Sequence, residues 1–175
     1  QIDQRDDGWH VTGTNGQLVA PSETIDVGNS GTTIRIAIGS CALIAEGTVT
    51  LTGDEQIQRR PAKPLAQALN DLGATISDIN GTGCPPFSVQ GRIQGGETTI
   101  ECITSQYLSS LLMCCPLAEG DTLIKVPLLN EAPYVGITLD WLKRQGIQVD
   151  YADDYSEFRV PGGQSYTPVN RLIHA

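Results

Sequence analysis

An internal repeat of about 72 residues constrains the fold of this chain more than any other feature of its sequence. A repeat of fixed period predicts consecutive copies of one supersecondary unit that stack on each other. We therefore predict a single domain over residues 1–175 that contains two units, at about 24–91 and 97–162. Corresponding residues lie 71 to 73 positions apart in four pairs: Leu43–Gly47 with Pro116–Gly120, Pro61 with Pro133, Gly73 with Gly146, and Phe87 with Phe158.

Each copy has the pattern of a strand, an apolar helix, a strand, an amphipathic helix and a two-stranded hairpin. In the first copy the pattern predicts an apolar helix over Ile34–Ala45 and a β-branched strand over Thr48–Thr52. Pro61 is expected to begin the amphipathic helix, and Gly73 to end it. The predicted fold class is α/β (α+β), built from repeated β-α-β-α-β-β units.

Short strands are also expected ahead of the first copy. Trp9–Val11 and Gln17–Ala20 flank the turn-forming Thr12–Gly16, a pattern typical of a β-hairpin. This segment would be the tail of a further unit upstream, so the chain would begin part-way through a larger architecture. The hairpins within the two copies are expected at residues 74–77 with 87–90, and 147–151 with 157–160.

The composition excludes several classes of function. A net charge of −9, with only 11 Lys and Arg, argues against a nucleic-acid partner. No apolar run is long enough to span a membrane, and no start resembling a signal peptide is present. The five cysteines are odd in number and lack metal-ligand spacing, so we expect reduced, mostly buried thiols in a cytoplasmic protein, without a metal or a cofactor.

The segment Val27–Arg35 is the first candidate binding site. Gly31 permits a close approach of a ligand to the backbone, and Arg35 adds a positive charge. The start of a helix offers unpaired amides and a favourable dipole, which together hold anions. An ordinary helix cap that binds nothing is the alternative. Four neighbouring side chains supply oxygens for capping or binding: Asn29, Ser30, Thr32 and Thr33.

The repeat places a second site of the same kind. An offset of 73 residues carries Gly31 and Thr32 onto Thr104 and Ser105, which precede Gln106. Two related helix starts with hydroxyl side chains predict a small ligand with two anionic groups. Two caps inherited by duplication, with no ligand, are the alternative.

These motifs resemble the enolpyruvyl transferases, and within them the branch that uses shikimate 3-phosphate and phosphoenolpyruvate. The sister branch, which transfers enolpyruvate to UDP-N-acetylglucosamine, is less similar and stays an alternative. A non-enzymatic repeat module with an acidic, partner-binding surface is a further alternative. The motifs follow the order of the family from about residue 8 to 166: Gly28–Thr32 with Arg35, Leu51–Asp54 ahead of Arg60 and Pro61, Thr104–Gln106 with Leu111–Met113 and Pro116–Ala118, Pro133 and Tyr134, Ile137–Leu139, and Gly162–Tyr166.

The resemblance implies buried parallel helices with sheets outside, in one of two domains that close on the two substrates. Such a domain would help to transfer enolpyruvate from phosphoenolpyruvate to the 5-hydroxyl of shikimate 3-phosphate, a step toward the aromatic amino acids. The implied site residues fall into three groups: Gly31, Arg60 and Gln106 for phosphoenolpyruvate; Thr104, Ser105, Gln106 and Tyr134 for shikimate 3-phosphate; and Asn29, Thr32 and Arg35 in support.

Two departures from the family pattern affect these expectations. Glu131 stands where many members have a Ser two positions ahead of Pro133. Either Glu131 points away, or Asn130 replaces the missing hydroxyl, or the site binds phosphate poorly. The acid and base groups of the reaction come in the family largely from the other domain and from a Lys-Ser segment, and no catalytic residue is identified here. We therefore expect an isolated N-proximal domain, inactive alone, whose last stretch from Thr167 to Ala175 is loosely held.

Overall fold

Two four-stranded sheets with one strand order form the outer parts of the molecule, and helices lie between them. The computed structural model describes residues 2–14 and 16–167. The first unit contains β3 (Ile25–Asp26), α1 (Gly31–Cys41), β4 (Thr48–Thr52), α2 (Lys63–Asp71), β5 (Thr75–Asp78) and β6 (Phe87–Gln90). The second unit contains β7 (Gly96–Cys102), α3 (Ser105–Cys114), β8 (Thr122–Leu129), α4 (Ala132–Arg144), β9 (Asp150–Tyr151) and β10 (Glu157–Val160).

The two sheets share one topology. Their strand orders are β3-β4-β6-β5 and β7-β8-β10-β9, so in each the first, second, fourth and third strands of a unit are neighbours. In each sheet the first two strands are parallel and the other pairs are antiparallel. A parallel pair needs a crossover connection, which α1 supplies in one unit and α3 in the other. The predicted β-α-β-α-β-β unit is therefore confirmed.

A separate hairpin precedes the first unit. Its strands are β1 (Ile2–Arg5) and β2 (Gly8–Val11), which pair antiparallel across a two-residue turn. The expected partner of β2, Gln17–Ala20, forms no strand, so that pairing was wrong. The preceding segment reaches β2 through a shorter connection, and Val19 is 84% exposed with no packed surface to order it.

The contact between α1 and α3 forms the centre of the molecule. Eight of the ten residues of α3 are buried, as expected of a helix that is apolar on all sides, whereas only five of the eleven in α1 are buried. At the crossing, Gly39 of α1 lies against Ser110 of α3, whose hydroxyl donates to the carbonyl of Arg35 at 2.8 Å. The less buried face of α1 borders the groove described below.

The helix boundaries differ from those expected. α1 runs from Gly31 to Cys41 rather than over Ile34–Ala45, because Ser30 caps it by accepting from the amide of Thr33 at 3.1 Å. α2 begins at Lys63 rather than at Pro61, which lies in the turn ahead of the helix and accepts from the Tyr107 hydroxyl at 2.6 Å. Pro64 takes the place in the first turn that was expected of Pro61.

The end of the chain is described only as far as Thr167. The amide of Thr167 donates to the carbonyl of Gln145 at 2.9 Å, and the Tyr166 hydroxyl donates to the carbonyl of Met113 at 2.7 Å. The rest of the stretch expected to be loosely held, residues 168–175, lies outside the described residues. Over residues 2–14 and 16–167, none of the helices has both the length and the apolar character that a membrane span requires.

Replacing Gly39 by Ala is expected to destabilise the protein by about 2 kcal/mol. A Cβ atom at this position would lie 2.4 Å from the Ser110 hydroxyl oxygen and 3.2 Å from the Ser110 carbonyl oxygen. Urea denaturation of the two proteins measures the difference. Gly136→Ala is the matched control in α4, because its new Cβ would meet only the Tyr155 hydroxyl at 3.5 Å. Equal destabilisation by both changes would contradict the close crossing.

Candidate functional site

The loop ahead of α1 is held by hydrogen bonds between its own residues and Asp54. Gly28 has a φ of 57°, a left-handed conformation that favours glycine, and its amide donates to the Asp26 carboxylate at 2.8 Å. The Asn29 side chain donates through its Nδ2 to the Asp54 carboxylate at 2.6 Å, a bond that ties this loop to Asp54. Of the four side chains expected to supply oxygens for capping or binding, Ser30 caps the helix.

Asp54 fixes this loop to the segment after β4. Its carboxylate accepts from the amides of Gln56 and Ile57, each at 3.0 Å, and its own amide donates to the Gly28 carbonyl at 3.0 Å. The bond from Ile57 contributes most to lowering the pKa of Asp54, with the Asn29 amide and the charge of Arg60 adding to it. Asp54 is therefore ionised at neutral pH and joins the two loops beside α1.

Two guanidinium groups approach the start of α1. A Cβ atom on Gly31 would lie 2.6 Å from one terminal nitrogen of Arg60 and 3.5 Å from one of Arg35. Only glycine at this position leaves room for the Arg60 side chain where it lies. The dipole of the helix and the two cations add at this point, so an anion placed here meets favourable charge from each.

Gln106 connects the starts of α1 and α3. Its side-chain oxygen accepts from Arg35 at 2.7 Å, and its side-chain nitrogen donates to the Thr32 hydroxyl at 3.0 Å. The Arg35 guanidinium also lies 5.6 Å from the centre of the Tyr107 ring, within the range of a cation–π contact. The two helix starts that the repeat predicted are thus adjacent, and one amide side chain spans them.

A carboxylate occupies the start of α3. One oxygen of Glu131 accepts from the Thr104 hydroxyl at 3.1 Å, the Ser105 amide at 3.2 Å and the Ser105 hydroxyl at 3.0 Å. These bonds, led by that of the Ser105 amide, lower the pKa of Glu131, so the group is ionised at neutral pH. The first of the three alternatives for Glu131, that it points away, was therefore wrong. The Asn130 side chain donates to the Ile103 carbonyl at 3.2 Å, so Asn130 does not replace the missing hydroxyl either.

A groove of about 480 Å³ lies between α1, α3 and the start of α4. Four of the predicted site residues line it: Thr32, Ser105, Gln106 and Tyr134. Two cavities of similar volume, about 530 and 500 Å³, lie between the second helix and third strand of each unit, and no predicted site residue lines them. The groove is therefore where the predicted residues converge.

The remaining predicted residues adjoin this groove rather than line it. Arg35 reaches it through Gln106, and Thr104 through its bond to Glu131. Arg60 and Gly31 lie beside Arg35 at the start of α1. Asn29 lies in the loop ahead of this helix and donates a hydrogen bond to Asp54. The predicted residues thus form a connected set.

The thiols take no part in this site. All five cysteines are free, and burial raises the pKa of Cys41 to about 11 and that of Cys102 to about 12. Thiols with such pKa values stay protonated and unreactive at neutral pH. Among the described residues, no group of His, Cys, Asp and Glu has the arrangement of a metal site.

Comparison with known proteins identifies the family. The model of the EPSP synthase family, also named 3-phosphoshikimate 1-carboxyvinyltransferase, matches residues 1–174. The chain belongs to this family. It is 45% identical over 173 residues to the 3-phosphoshikimate 1-carboxyvinyltransferase of Acetivibrio thermocellus, covering 99% of the chain and 40% of that protein. For the enzyme of Methanocaldococcus jannaschii the identity is 39%, with 99% of the chain and 40% of that protein covered.

Solved structures support the same assignment. An EPSP synthase structure from Acinetobacter baumannii superposes with a TM-score of 0.77 at 26% identity, covering 95% of this chain and 37% of that chain. The chain thus spans about two fifths of the length of the relatives that it matches. The EPSP synthase family is favoured over the UDP-sugar branch and over the non-enzymatic module.

The sequence left two features of this site unidentified. One is the Arg35–Gln106 bond, for which the only signal was that the two positions lie one repeat apart, with Arg35 one turn into α1. The other is the direction of Glu131, whose backbone has a φ of 60°. Sequence pattern does not reveal which non-glycine residue adopts a left-handed backbone. Here that conformation occurs at the N-cap of α4, where the Glu131 carboxylate lies against Ser105.

Asp54→Asn should lower the stability of the protein at neutral pH, and the loss should shrink as the pH falls. Because folding lowers the pKa of Asp54, its contribution is complete above the unfolded value of about 3.9 and is lost as the pH falls from there through the lower, folded value. Urea denaturation at several pH values measures this. Asp153→Asn, in the turn between β9 and β10, is the matched control. A loss for Asp54→Asn that is the same at acid and neutral pH would contradict the role of the ionised carboxylate.

Proposed function

We propose that this chain is a substrate-binding domain of an EPSP synthase that holds shikimate 3-phosphate and phosphoenolpyruvate between α1 and α3. The observation that carries the proposal is the meeting of two related helix starts, joined by Gln106, at one groove. The domain would comprise repeat units at about 24–91 and 97–162, and the protein would act in the cytoplasm. A second domain would supply the remaining part of the site.

The start of α1 is the proposed phosphoenolpyruvate end of the site. Arg60 and Arg35 bring two guanidinium groups to Gly31, and a guanidinium can donate two parallel hydrogen bonds to a carboxylate or a phosphate. Gly31 leaves room for the Arg60 side chain there, while Asn29 and Asp54 hold the loop in shape. An acid with both carboxylate and phosphate groups suits this concentration of donors.

The start of α3 is the proposed shikimate 3-phosphate end. Thr104 and Ser105 present two hydroxyls and one amide that converge on a single point. Tyr134, 62% exposed at the start of α4, stands on the wall of the groove where a substrate ring would lie. Gln106 lies between the two ends, where both substrates would reach it.

The reaction needs groups beyond those that line this groove. Addition of the 5-hydroxyl to the vinyl carbon requires a base to take the hydroxyl proton and an acid to protonate the vinyl CH2, which becomes a methyl group. Loss of phosphate then requires a base to remove a proton from that methyl group, so that the double bond of the enolpyruvyl product forms. Of the carboxyl groups in the described part of the chain, Glu131 lines the groove, and its lowered pKa makes it a poor acid. We propose that the remaining three fifths of the enzyme supplies both groups.

Arg60→Gln is expected to weaken phosphoenolpyruvate binding about tenfold or more, because it removes a charged donor at Gly31. A titration followed by the amide shifts of Gly31 and Thr32 measures this. The neighbouring Arg59→Gln is the matched control, since Arg59 is exposed and lies 3.7 Å from Glu55. If both variants bind phosphoenolpyruvate as the unchanged chain does, the proposed end of the site is wrong.

The chain alone is expected to give no turnover with shikimate 3-phosphate and phosphoenolpyruvate. Release of inorganic phosphate and formation of the enolpyruvyl product measure this. The control is the same segment placed in the corresponding position of the Acetivibrio thermocellus relative, where activity should return. Product formation by the chain alone would show that the acid and the base lie within these 175 residues.

A further inference from the structure

We propose that Glu131 is an internal anion that competes with the phosphate of the substrate for the donors at the start of α3. This inference rests on the proposed function, since it concerns the end of the groove assigned to shikimate 3-phosphate. Its consequence is that Glu131 determines how tightly the groove binds a phosphate. A phosphate can enter only when the carboxylate moves out.

The hydrogen-bond donors at the start of α3 already have a partner. The hydroxyls of Thr104 and Ser105 and the amide of Ser105 all donate to one oxygen of Glu131, at 3.0 to 3.2 Å. Thr104 stands at the N-cap of α3, yet its own side chain does not cap the helix. The carboxylate of Glu131 therefore takes the place of the helix cap, the same place that a ligand phosphate would take.

The first unit shows the opposite arrangement. The repeat places Glu131 and Ala132, just ahead of Pro133, in register with Arg59 and Arg60, just ahead of Pro61. In the first unit this segment brings the Arg60 guanidinium to the start of α1, and Ser30 caps that helix from within its own loop. In the second unit it brings a carboxylate to the start of α3. Residues one position apart in the register of the repeat thus attract an external anion in one unit and supply an internal one in the other.

The Glu131 side chain can leave this position. It is exposed to solvent, so the carboxylate is hydrated when it rotates away from Ser105. The Ser105 side chain, by contrast, is only 3% exposed and stays with the helix. A phosphate that displaces Glu131 would exchange one set of charge-assisted bonds for another, and would then lie beside a displaced negative charge. Both effects weaken phosphate binding without altering the donors.

Glu131→Gln removes the charge while keeping the size of the side chain, and it tests the proposal in this chain. Inorganic phosphate and shikimate 3-phosphate are titrated separately, and the amide shifts of Thr104 to Gln106 are followed. We expect at least about tenfold tighter binding of both ligands than in the unchanged chain. Glu119→Gln is the matched control, because it changes the net charge equally but lies beyond the opposite end of α3, and it should leave both affinities unchanged.

A second variant keeps the proposal testable if Glu131→Gln does not fold. Glu131→Asn also removes the charge, and asparagine adopts the left-handed backbone of this position with little strain. It should give the same gain in affinity. If neither variant binds inorganic phosphate more tightly than Glu119→Gln, or if the Ser105 amide shift is the same in the free forms of all these proteins, the competition does not exist.

The two ligands separate this inference from the proposed function. If Glu131→Gln gains affinity for inorganic phosphate at Ser105, but shikimate 3-phosphate binds no better than inorganic phosphate in any variant, the competition stands and the proposed substrate is wrong. If the unchanged chain already binds shikimate 3-phosphate as tightly as Glu131→Gln does, with shifts at Thr104 to Gln106, the substrate stands and the competition is overturned.

Discussion

The close crossing of α1 and α3 is the contact on which the rest of the structure depends. Gly39 removes a side chain where the Ser110 hydroxyl reaches across to the carbonyl of Arg35, so the two helices approach at a distance that a larger residue would not allow. This crossing brings the start of one helix beside the start of the other. Gln106 can then bond to both Arg35 and Thr32. A groove with donors from two repeat units follows from this packing rather than from any single loop.

Duplication explains why the groove has two ends of similar construction, and divergence explains why they differ in charge. Each unit places a capped helix start and a proline-containing segment next to each other, because both units have the same strand order and the same crossover. What that segment carries is free to change without altering the fold. Arg60 in one unit and Glu131 in the other, one position apart in the register of the repeat, show that the segment between the second strand and the second helix can present a cation or an anion to a helix start.

The repeated unit and several of its strands could be predicted from sequence, because their signals are local. Thr48–Thr52, Phe87–Gln90 and Glu157–Val160 have the expected bounds, each being a short run of alternating or β-branched residues. The features that could not be predicted depend on tertiary contacts. α1 begins earlier than its apolar run because of the Ser30 cap, and the left-handed backbone of Glu131 directs its side chain at Ser105. The sequence shows that a glutamate stands at position 131, but it does not show where the Glu131 side chain points.

The position of Glu131 also bears on how the binding energy of a phosphate would be used. In a helix start that is open to water, a phosphate replaces water, and most of its charge-assisted bonds count toward binding. At the start of α3 the phosphate replaces a carboxylate that already makes three hydrogen bonds, so only the difference between the two sets counts. The same donors therefore stabilise the free domain and the bound domain, and α3 keeps a capping anion in both. A domain built in this way would hold the proposed phosphate end in its binding geometry before a phosphate arrives, and would bind that phosphate less tightly as a result.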